Sequence, residues 1–153
     1  GAADWRTRWA LANNVGITQE RQGEPTEALQ AYGAALAEVP RDDDRGSFER
    51  AVTLLNMAPV QVRVGDSQAG RHSAGRAVDE LTALLGSEHP QLRTARASLA
   101  LVLRSTGHFR EAQEILADVL GRYSSAEPPP LWMLYDAAQV AWGRGDVEAA
   151  AAW

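Results

Sequence analysis

Residues that could carry out catalysis or hold a metal ion are few in this sequence and lie far apart. There is no cysteine, which excludes thiol catalysis, thiolate zinc sites and a disulfide framework within the chain. His72, His89 and His108 belong to no His-Glu-x-x-His or similar pair, so they predict neither a metal centre nor a general base. The acidic run 42–44 lacks the staggered oxygen ligands and closing glutamate of a calcium loop, and indicates a solvated linker. The sequence therefore predicts no catalysis, no cofactor and no metal site.

Short polar residues recur at one position of the sequence, and their chemistry suits binding. They are Asn14, Asn56, Ser98 and Asp136, each directly before an apolar residue. An asparagine amide donates and accepts hydrogen bonds at once, so a row of such groups matches the backbone of an extended peptide without reading its side chains. Solvated polar groups on an exposed helix face would give the same pattern, so both interpretations stay open.

Further candidates for a binding groove lie within a few residues of that row. They are Ile17, Arg21, Arg63, Leu101, Arg104, Tyr135, Gln139 and Trp142. The arginines among them could pair with an acidic peptide. They could equally lie along the surface with their charged ends in water.

The elements that must hold these side chains are marked by glycines. Gly23, Gly65, Gly107 and Gly145 follow one another at spacings of 42, 42 and 38 residues. An apolar segment of helical periodicity ends at each glycine, which can adopt the left-handed conformation, and a second helix follows. The pattern predicts helices over 4–22, 25–38, 47–64, 67–85, 90–106, 109–123 and 129–144, and an eighth from about 147. Pro59 should kink or split the third helix, because it has no N–H to donate.

The composition restricts the class of partner. The 153 residues include 15 basic and 20 acidic ones, and the net charge of −5 does not suit binding to the phosphates of nucleic acid. No apolar stretch is long enough to cross a membrane and no signal peptide is recognisable, so a cytoplasmic location is expected. The chain starts without methionine and ends on 149–153 with no evident stop signal, which indicates a fragment of a longer protein.

The spacing of the small and aromatic residues resembles the tetratricopeptide repeat. Its first copy reads Val15, Gly16, Gly23, Ala28, Tyr32, Ala35 and Pro40. The 42-residue period, the connector 85–90 (Leu-Gly-Ser-Glu-His-Pro) and the run 13–16 (Asn-Asn-Val-Gly) are closest to the kinesin-light-chain-like branch, found in bacterial signalling and regulatory proteins. The resemblance implies that the first helix of each pair lines a concave groove that holds a protein or an extended peptide. In that branch an asparagine row at the position of Asn14 and Asn56 holds the peptide backbone.

These observations together predict an all-α solenoid of about three and a half antiparallel helix pairs. The repeats are expected at about 4–40, 47–85, 90–123 and a truncated 129–153. The expected function is non-catalytic binding of a protein or peptide. Two alternatives stay open: a sensor or regulatory arm of a bacterial transcription regulator or signalling ATPase that binds a peptide or small ligand, and an accessory domain of an enzyme whose active site lies outside this chain.

The last helix pair carries a separate expectation. Cut at residue 153, it should leave an apolar flank of the seventh helix without cover, with Trp132, Leu134, Val140 and Trp142 as the candidate residues. An uncovered apolar flank favours self-association through this end of the chain.

Overall fold

The computed structural model describes residues 4–41, 44–145 and 147–152, and every regular element within them is helical. A short 3₁₀ turn, Asp44–Gly46, precedes the third of the α-helices. The α-helices are α1 (Asp4–Arg21), α2 (Pro25–Glu38), α3 (Ser47–Arg63), α4 (Ser67–Leu85), α5 (Pro90–Ser105), α6 (Phe109–Leu120), α7 (Leu131–Gly143) and α8 (Val147–Ala152). The prediction of an all-α chain is confirmed.

The helix boundaries agree with the predicted ones to within three residues, and two differences are informative. Helix α3 is not split, since it runs through Pro59 from Ser47 to Arg63. Pro59 is exposed, and because it has no N–H it cannot donate a hydrogen bond to the carbonyl of Leu55. Helix α7 starts two residues later than predicted, because Pro130 takes the extended N-cap conformation rather than a helical one.

The turns inside the helix pairs are built alike, because glycine supplies the left-handed residue. Gly23, Gly65, Gly107 and Gly145 have φ angles of 77°, 94°, 82° and 77°. After α1 the amide of Glu24 donates to the carbonyl of Gln19 at 2.9 Å, and the amide of Gly23 donates to that of Glu20 at 3.1 Å. The same two bonds recur after α3 and α5. This is the Schellman ending, which satisfies the last carbonyls of a helix and reverses the chain within three residues.

Small residues let the two helices of a pair approach closely. A Cβ atom added to Gly16 in α1 would lie 2.5 Å from the Cε1 atom of Tyr32 in α2. In the third pair, Ala100 and Ala112 are both fully buried. The helices pack in pairs as α1 with α2, α3 with α4, α5 with α6, and α7 with α8. The three-residue turns make each pair antiparallel.

The apolar core continues from one pair into the next. Ala51, Leu54 and Leu81 of the second pair pack with Leu92 and Ala95 of α5. A larger cluster joins the third pair to α7 and includes the buried residues Leu103, Leu116, Met133 and Val140. Val140 is therefore a core residue, and its predicted place on an uncovered flank is wrong. Because each pair buries its apolar face against a neighbour, the arrangement is that of a solenoid.

The stack curves towards its first helices. Helix α1 contacts α3, α3 contacts α5, and α5 contacts α7. Among the described residues no two second helices come into comparable contact. Since one row of helices lies closer together than the other, α1, α3, α5 and α7 form the inner side of the curve. We call the surface of these four helices the first-helix face.

The buried repeat positions should dominate stability. Leu103→Ala, at a side chain that is 1% exposed in α5, should lower the free energy of unfolding by about 2–5 kcal/mol. Leu84→Ala, the same change at a position 43% exposed in α4, should stay within about 0.5 kcal/mol. Urea denaturation monitored by circular dichroism measures both, and equal midpoints would contradict the assigned core.

Candidate functional site

A cleft of about 340 Å³ lies on the first-helix face between α3 and α5. Four of the residues predicted from the sequence to form a groove line this cleft: Arg63, Ser98, Leu101 and Arg104. Its other lining residues are Leu55, Pro59, Val62, Val102 and Ser105. The cleft thus combines an apolar floor with two arginines and two hydroxyl groups.

The apolar floor is the part of this cleft that sequence reasoning missed. Leu55, Pro59 and Val62 follow one another at the i, i+4 and i+7 spacing of a single face of α3. The candidates predicted from the sequence on α3 were the polar Asn56 and Arg63, and they did not include the apolar positions beside them. The spacing of these residues could have predicted this surface. Three apolar residues on the helix face that also carries Arg63 form an apolar surface next to a positive charge.

Arg63 forms a bridge between the first two helix pairs. Its guanidinium lies 3.1 Å from a carboxylate oxygen of Glu20 in α1, and its side chain is about half exposed. The second carboxylate oxygen of Glu20 accepts a hydrogen bond from the hydroxyl of Tyr32 at 3.1 Å. Burial and the carboxylate of Glu20 raise the pKa of Tyr32, so this hydroxyl remains a donor. Glu20 therefore contacts the guanidinium of Arg63 through one of its two carboxylate oxygens, and the other oxygen is taken by Tyr32.

Arg104 is the less satisfied of the two cationic groups. Its nearest carboxylate is that of Asp136 in α7, at 3.8 Å, and its Nε atom is buried without a hydrogen-bond partner. Asp136 is only 7% exposed, and this burial raises the pKa of its carboxyl against the opposing effect of Arg104. The side chain of Arg104 is 31% exposed, so its terminal nitrogens can donate to a further carboxylate or carbonyl oxygen.

The hydroxyl groups of the cleft already use their donors. Ser98 donates to the carbonyl of Thr94 at 3.0 Å, and Ser105 donates to the carbonyl of Leu101 at 2.9 Å. Their oxygens keep lone pairs that can accept a hydrogen bond from a ligand N–H. The cleft can therefore accept from a peptide amide and donate to a peptide carboxylate at the same time.

The predicted polar row is spread over different environments. Asn14 is exposed on α1, Asn56 is half-buried on α3, Ser98 lines the cleft and Asp136 is buried on α7. The side-chain amide of Asn56 donates to the side-chain oxygen of Asn13 at 3.3 Å. Asn13 is only 5% exposed. It is therefore Asn13, and not the predicted Asn14, that joins α1 to α3.

The remaining predicted groove residues do not line this cleft. Ile17 packs against the buried cluster of Ala28, Tyr32 and Val60. Arg21 is exposed on α1 and Gln139 is half-buried on α7. Tyr135 and Trp142 are 64% and 67% exposed on α7. The structure thus gathers one third of the predicted set around a single cleft and distributes the others along the solenoid.

Two further features of the described residues concern ligands and membranes. No group of three or more histidine, aspartate or glutamate side chains there is placed to hold a metal ion. None of the described helices combines the length and apolarity needed to span a bilayer.

Comparison with known proteins gives a family match and a set of structural neighbours. A sequence model of the tetratricopeptide repeat family matches residues 49–125. No curated protein sequence matches the chain. The crystal structure of BtubC (BKLC) from P. vanneervenii is 16% identical with a TM-score of 0.81, over 94% of this chain and 59% of that one.

A putative kinesin light chain of Podosopora anserina, with nearly identical TPR-like repeats, is the second structural neighbour. It is 21% identical with a TM-score of 0.76, over 98% of this chain and 71% of that one. A point variant of the same protein gives 21% and 0.75, over 97% and 70%. The chain therefore spans 59% of BtubC and about 70% of the kinesin light chain structures, and the likeness at these identities concerns the fold.

The raised pKa of Asp136 predicts a pH-dependent contribution to stability. A carboxyl whose pKa is higher in the folded chain than in the unfolded one stabilises the fold fully below the unfolded value of about 4. That contribution is lost as the pH rises through the folded-state pKa. Asp136→Asn, which mimics the neutral acid, should therefore raise the melting temperature at pH 7 and change it little at pH 3.

Thermal denaturation at the two pH values measures this difference. Asp79→Asn, at an exposed position of α4, controls for the loss of a carboxylate. A melting temperature of Asp136→Asn that falls at pH 7 would mean that the ion pair with Arg104 outweighs the burial of Asp136, contrary to the expected result.

Proposed function

The chain belongs to the tetratricopeptide repeat family, and on that premise we propose that it binds an extended segment of another protein on its first-helix face, without catalysis. The family fold is in general a scaffold for protein interactions. The observation that carries the proposal is the cleft between α3 and α5, where an apolar floor lies beside two arginines on the inner side of the curve. We place this binding in the cytoplasm.

The charges of the cleft favour an acidic segment. Arg63 and Arg104 both line it, whereas their partners Glu20 and Asp136 do not. The guanidinium of Arg104 lies 3.8 Å from its nearest carboxylate, so a ligand carboxylate at hydrogen-bond distance would gain more there than at a fully paired arginine. The apolar floor would take an aliphatic or aromatic side chain next to that acidic residue.

Other residues of the first-helix face extend the proposed binding surface beyond the cleft. Asn14 and Arg21 on α1, and Tyr135, Gln139 and Trp142 on α7, would contact the flanking parts of a long segment. Asn14 can donate to and accept from a peptide group, since it is exposed. Asn56, which already donates to Asn13, would contribute its remaining hydrogen-bonding capacity.

Selection of a random peptide library on the chain tests the proposal. We expect enrichment of segments with an acidic residue near an apolar one. Arg104→Gln should weaken binding of an enriched peptide by about tenfold or more, because a hydrogen bond to a charged group contributes about 1.5–3 kcal/mol. Calorimetry with the enriched peptide measures the loss.

Matched variants separate the cleft from the rest of the surface. Arg110→Gln removes an exposed arginine of α6, away from the first-helix face, and should leave the affinity unchanged. Asn14→Ala should weaken binding by about threefold to tenfold if the asparagine row takes part. Equal affinities of Arg104→Gln and Arg110→Gln, or a library without enrichment, would rule out the cleft as the binding site.

A further inference from the structure

A second cleft, of about 450 Å³, lies on the side of the second helices, between α2 and α4. Its described lining includes no acidic residue, and it shares no lining residue with the cleft between α3 and α5. The apolar side chains that line it are those of Leu36, Ala37 and Val39. Three arginines also line it, and we call it the arginine cleft: Arg41 after α2, Arg50 near the start of α3, and Arg76 on α4.

Arg50 is held in place by the fold. Its Nε atom donates to a carboxylate oxygen of Glu80 in α4 at 2.8 Å. Its terminal nitrogens donate to the carbonyl of Pro40 at 2.9 Å and to the hydroxyl of Ser47 at 3.1 Å. One repeat later, at the 42-residue spacing, the buried Leu92 takes this position, so helix packing alone does not require an arginine here. A guanidinium fixed in this way needs little further ordering when a ligand binds.

Arg76 and Arg41 keep donors for a ligand. Arg76 uses its Nε atom for the other oxygen of Glu80, at 2.9 Å, and its side chain is about half exposed. Its terminal nitrogens have no hydrogen-bond partner among the described residues. Arg41 is exposed, and no carboxylate or carbonyl in the described part of the chain pairs with it. Free terminal nitrogens of a guanidinium present the paired donors that bind a phosphate or carboxylate through two oxygens at once.

The charges around the arginine cleft do not balance. Counted over the described residues, its three guanidiniums pair with a single carboxylate, that of Glu80, and both oxygens of that carboxylate are taken. Glu38 of α2 pairs instead with Arg8 of α1. The exposed Asp44 lines a neighbouring cleft and forms no ion pair with any of the three arginines. Residues 42 and 43, which follow Arg41, lie outside the described residues. Two positive charges therefore remain at one place in a chain whose net charge is −5.

The corresponding groove one repeat later, between α4 and α6, is balanced. At the 42-residue spacing Arg76 corresponds to Asp118 in α6, which pairs with both Arg96 and Arg122. Those two arginines line the groove together with Asp118 and Glu114. An excess of positive charge is thus particular to the arginine cleft and is not a general consequence of stacking these helix pairs.

We propose that the arginine cleft binds a phosphomonoester, which carries about two negative charges at neutral pH. That charge matches the two uncompensated guanidiniums, whereas a carboxylate or a phosphodiester carries only one negative charge. The terminal oxygens of the phosphate accept hydrogen bonds from Arg41 and Arg76, and from the N–H groups that Arg50 has left. Leu36 and Ala37 contact the carbon group that bears the phosphate.

Two sources supply this chemical group: a small phosphorylated metabolite, and a phosphorylated side chain of another protein. Both present the same oxygens and the same charge to the three arginines. The cleft recognises what the two sources share, and the experiment has an arm for each of them.

Two probes of one shape test the charge match. Phenyl phosphate and phenyl sulfate both place a tetrahedral anion on a phenyl ring, but the sulfate carries one negative charge instead of two. Titration calorimetry at pH 7.5 and low salt should give a Kd of about 1 mM or tighter for phenyl phosphate. Phenyl sulfate should bind about tenfold more weakly, because one positive charge then stays uncompensated.

A peptide of alanine and glycine around one phosphotyrosine carries the same phenyl phosphate group on a peptide chain. Tighter binding of this peptide than of phenyl phosphate would support the site and assign it to a phosphorylated protein. Weaker binding of the peptide, with phenyl phosphate bound as expected, would support the site and assign it to a small metabolite.

Three arginine variants test the residues. Arg41→Gln and Arg76→Gln should each weaken binding of phenyl phosphate by about tenfold or more, because each removes charged hydrogen bonds to the phosphate. Arg41 makes no contact on which the described fold depends, so its replacement should leave the circular dichroism spectrum and the urea midpoint unchanged. Arg96→Gln, in the balanced groove, is the matched control and should leave the affinity for phenyl phosphate unchanged.

Three results would each overturn the proposal. The first is no detectable binding of phenyl phosphate at about 10 mM. The second is equal affinity for phenyl phosphate and phenyl sulfate, since the match of two charges would then be absent. The third is a loss of affinity in Arg96→Gln as large as that in Arg41→Gln, because binding would then follow the total charge of the chain rather than the arginine cleft.

Discussion

The close approach of neighbouring helices at glycine and alanine positions is the constraint on which the rest of this molecule depends. Where Gly16 meets the ring of Tyr32, or Gly70 meets the backbone of α3, no room remains for an additional methyl group. Backbones this close let the apolar side chains of the two helices pack against each other, and such packing supplies most of the stability of short helices. The left-handed glycines at the turns fix the angle at which each second helix returns.

The cleft between α3 and α5 follows from repeating that unit. The repeat brings first helices side by side, and where their side chains do not fill the space between α3 and α5, the cleft with Arg63 and Arg104 is left.

The sequence predicted the helices well because their signals are local. These signals are the apolar periodicity, the glycines at the turns, and the prolines that begin α2 and α5, Pro25 and Pro90. Each of them determines the backbone conformation within a few residues. The site was predicted in part, since Arg63 and Arg104 were identified but the apolar floor was not. Whether Asn13 or Asn14 faces the neighbouring helix depends on how two pairs rotate against each other, which no local pattern states. Gly70 stands where the other pairs carry alanine, and only the structure shows why: an added Cβ would lie 2.8 Å from the carbonyl oxygen of Ala58.

Two glycine substitutions in helix α4 test the central constraint most directly. Gly75→Ala adds a methyl group with nothing within 4 Å, so it should raise the free energy of unfolding by up to about 1 kcal/mol through helix propensity. Gly70→Ala places the same group 2.6 Å from a methyl carbon of Val62 and against the backbone of α3, and should destabilise the chain despite the same gain in propensity. Urea denaturation of the two variants should therefore give midpoints on opposite sides of that of the unchanged chain. A stabilising Gly70→Ala would show that the helices need not approach so closely, and would contradict the account.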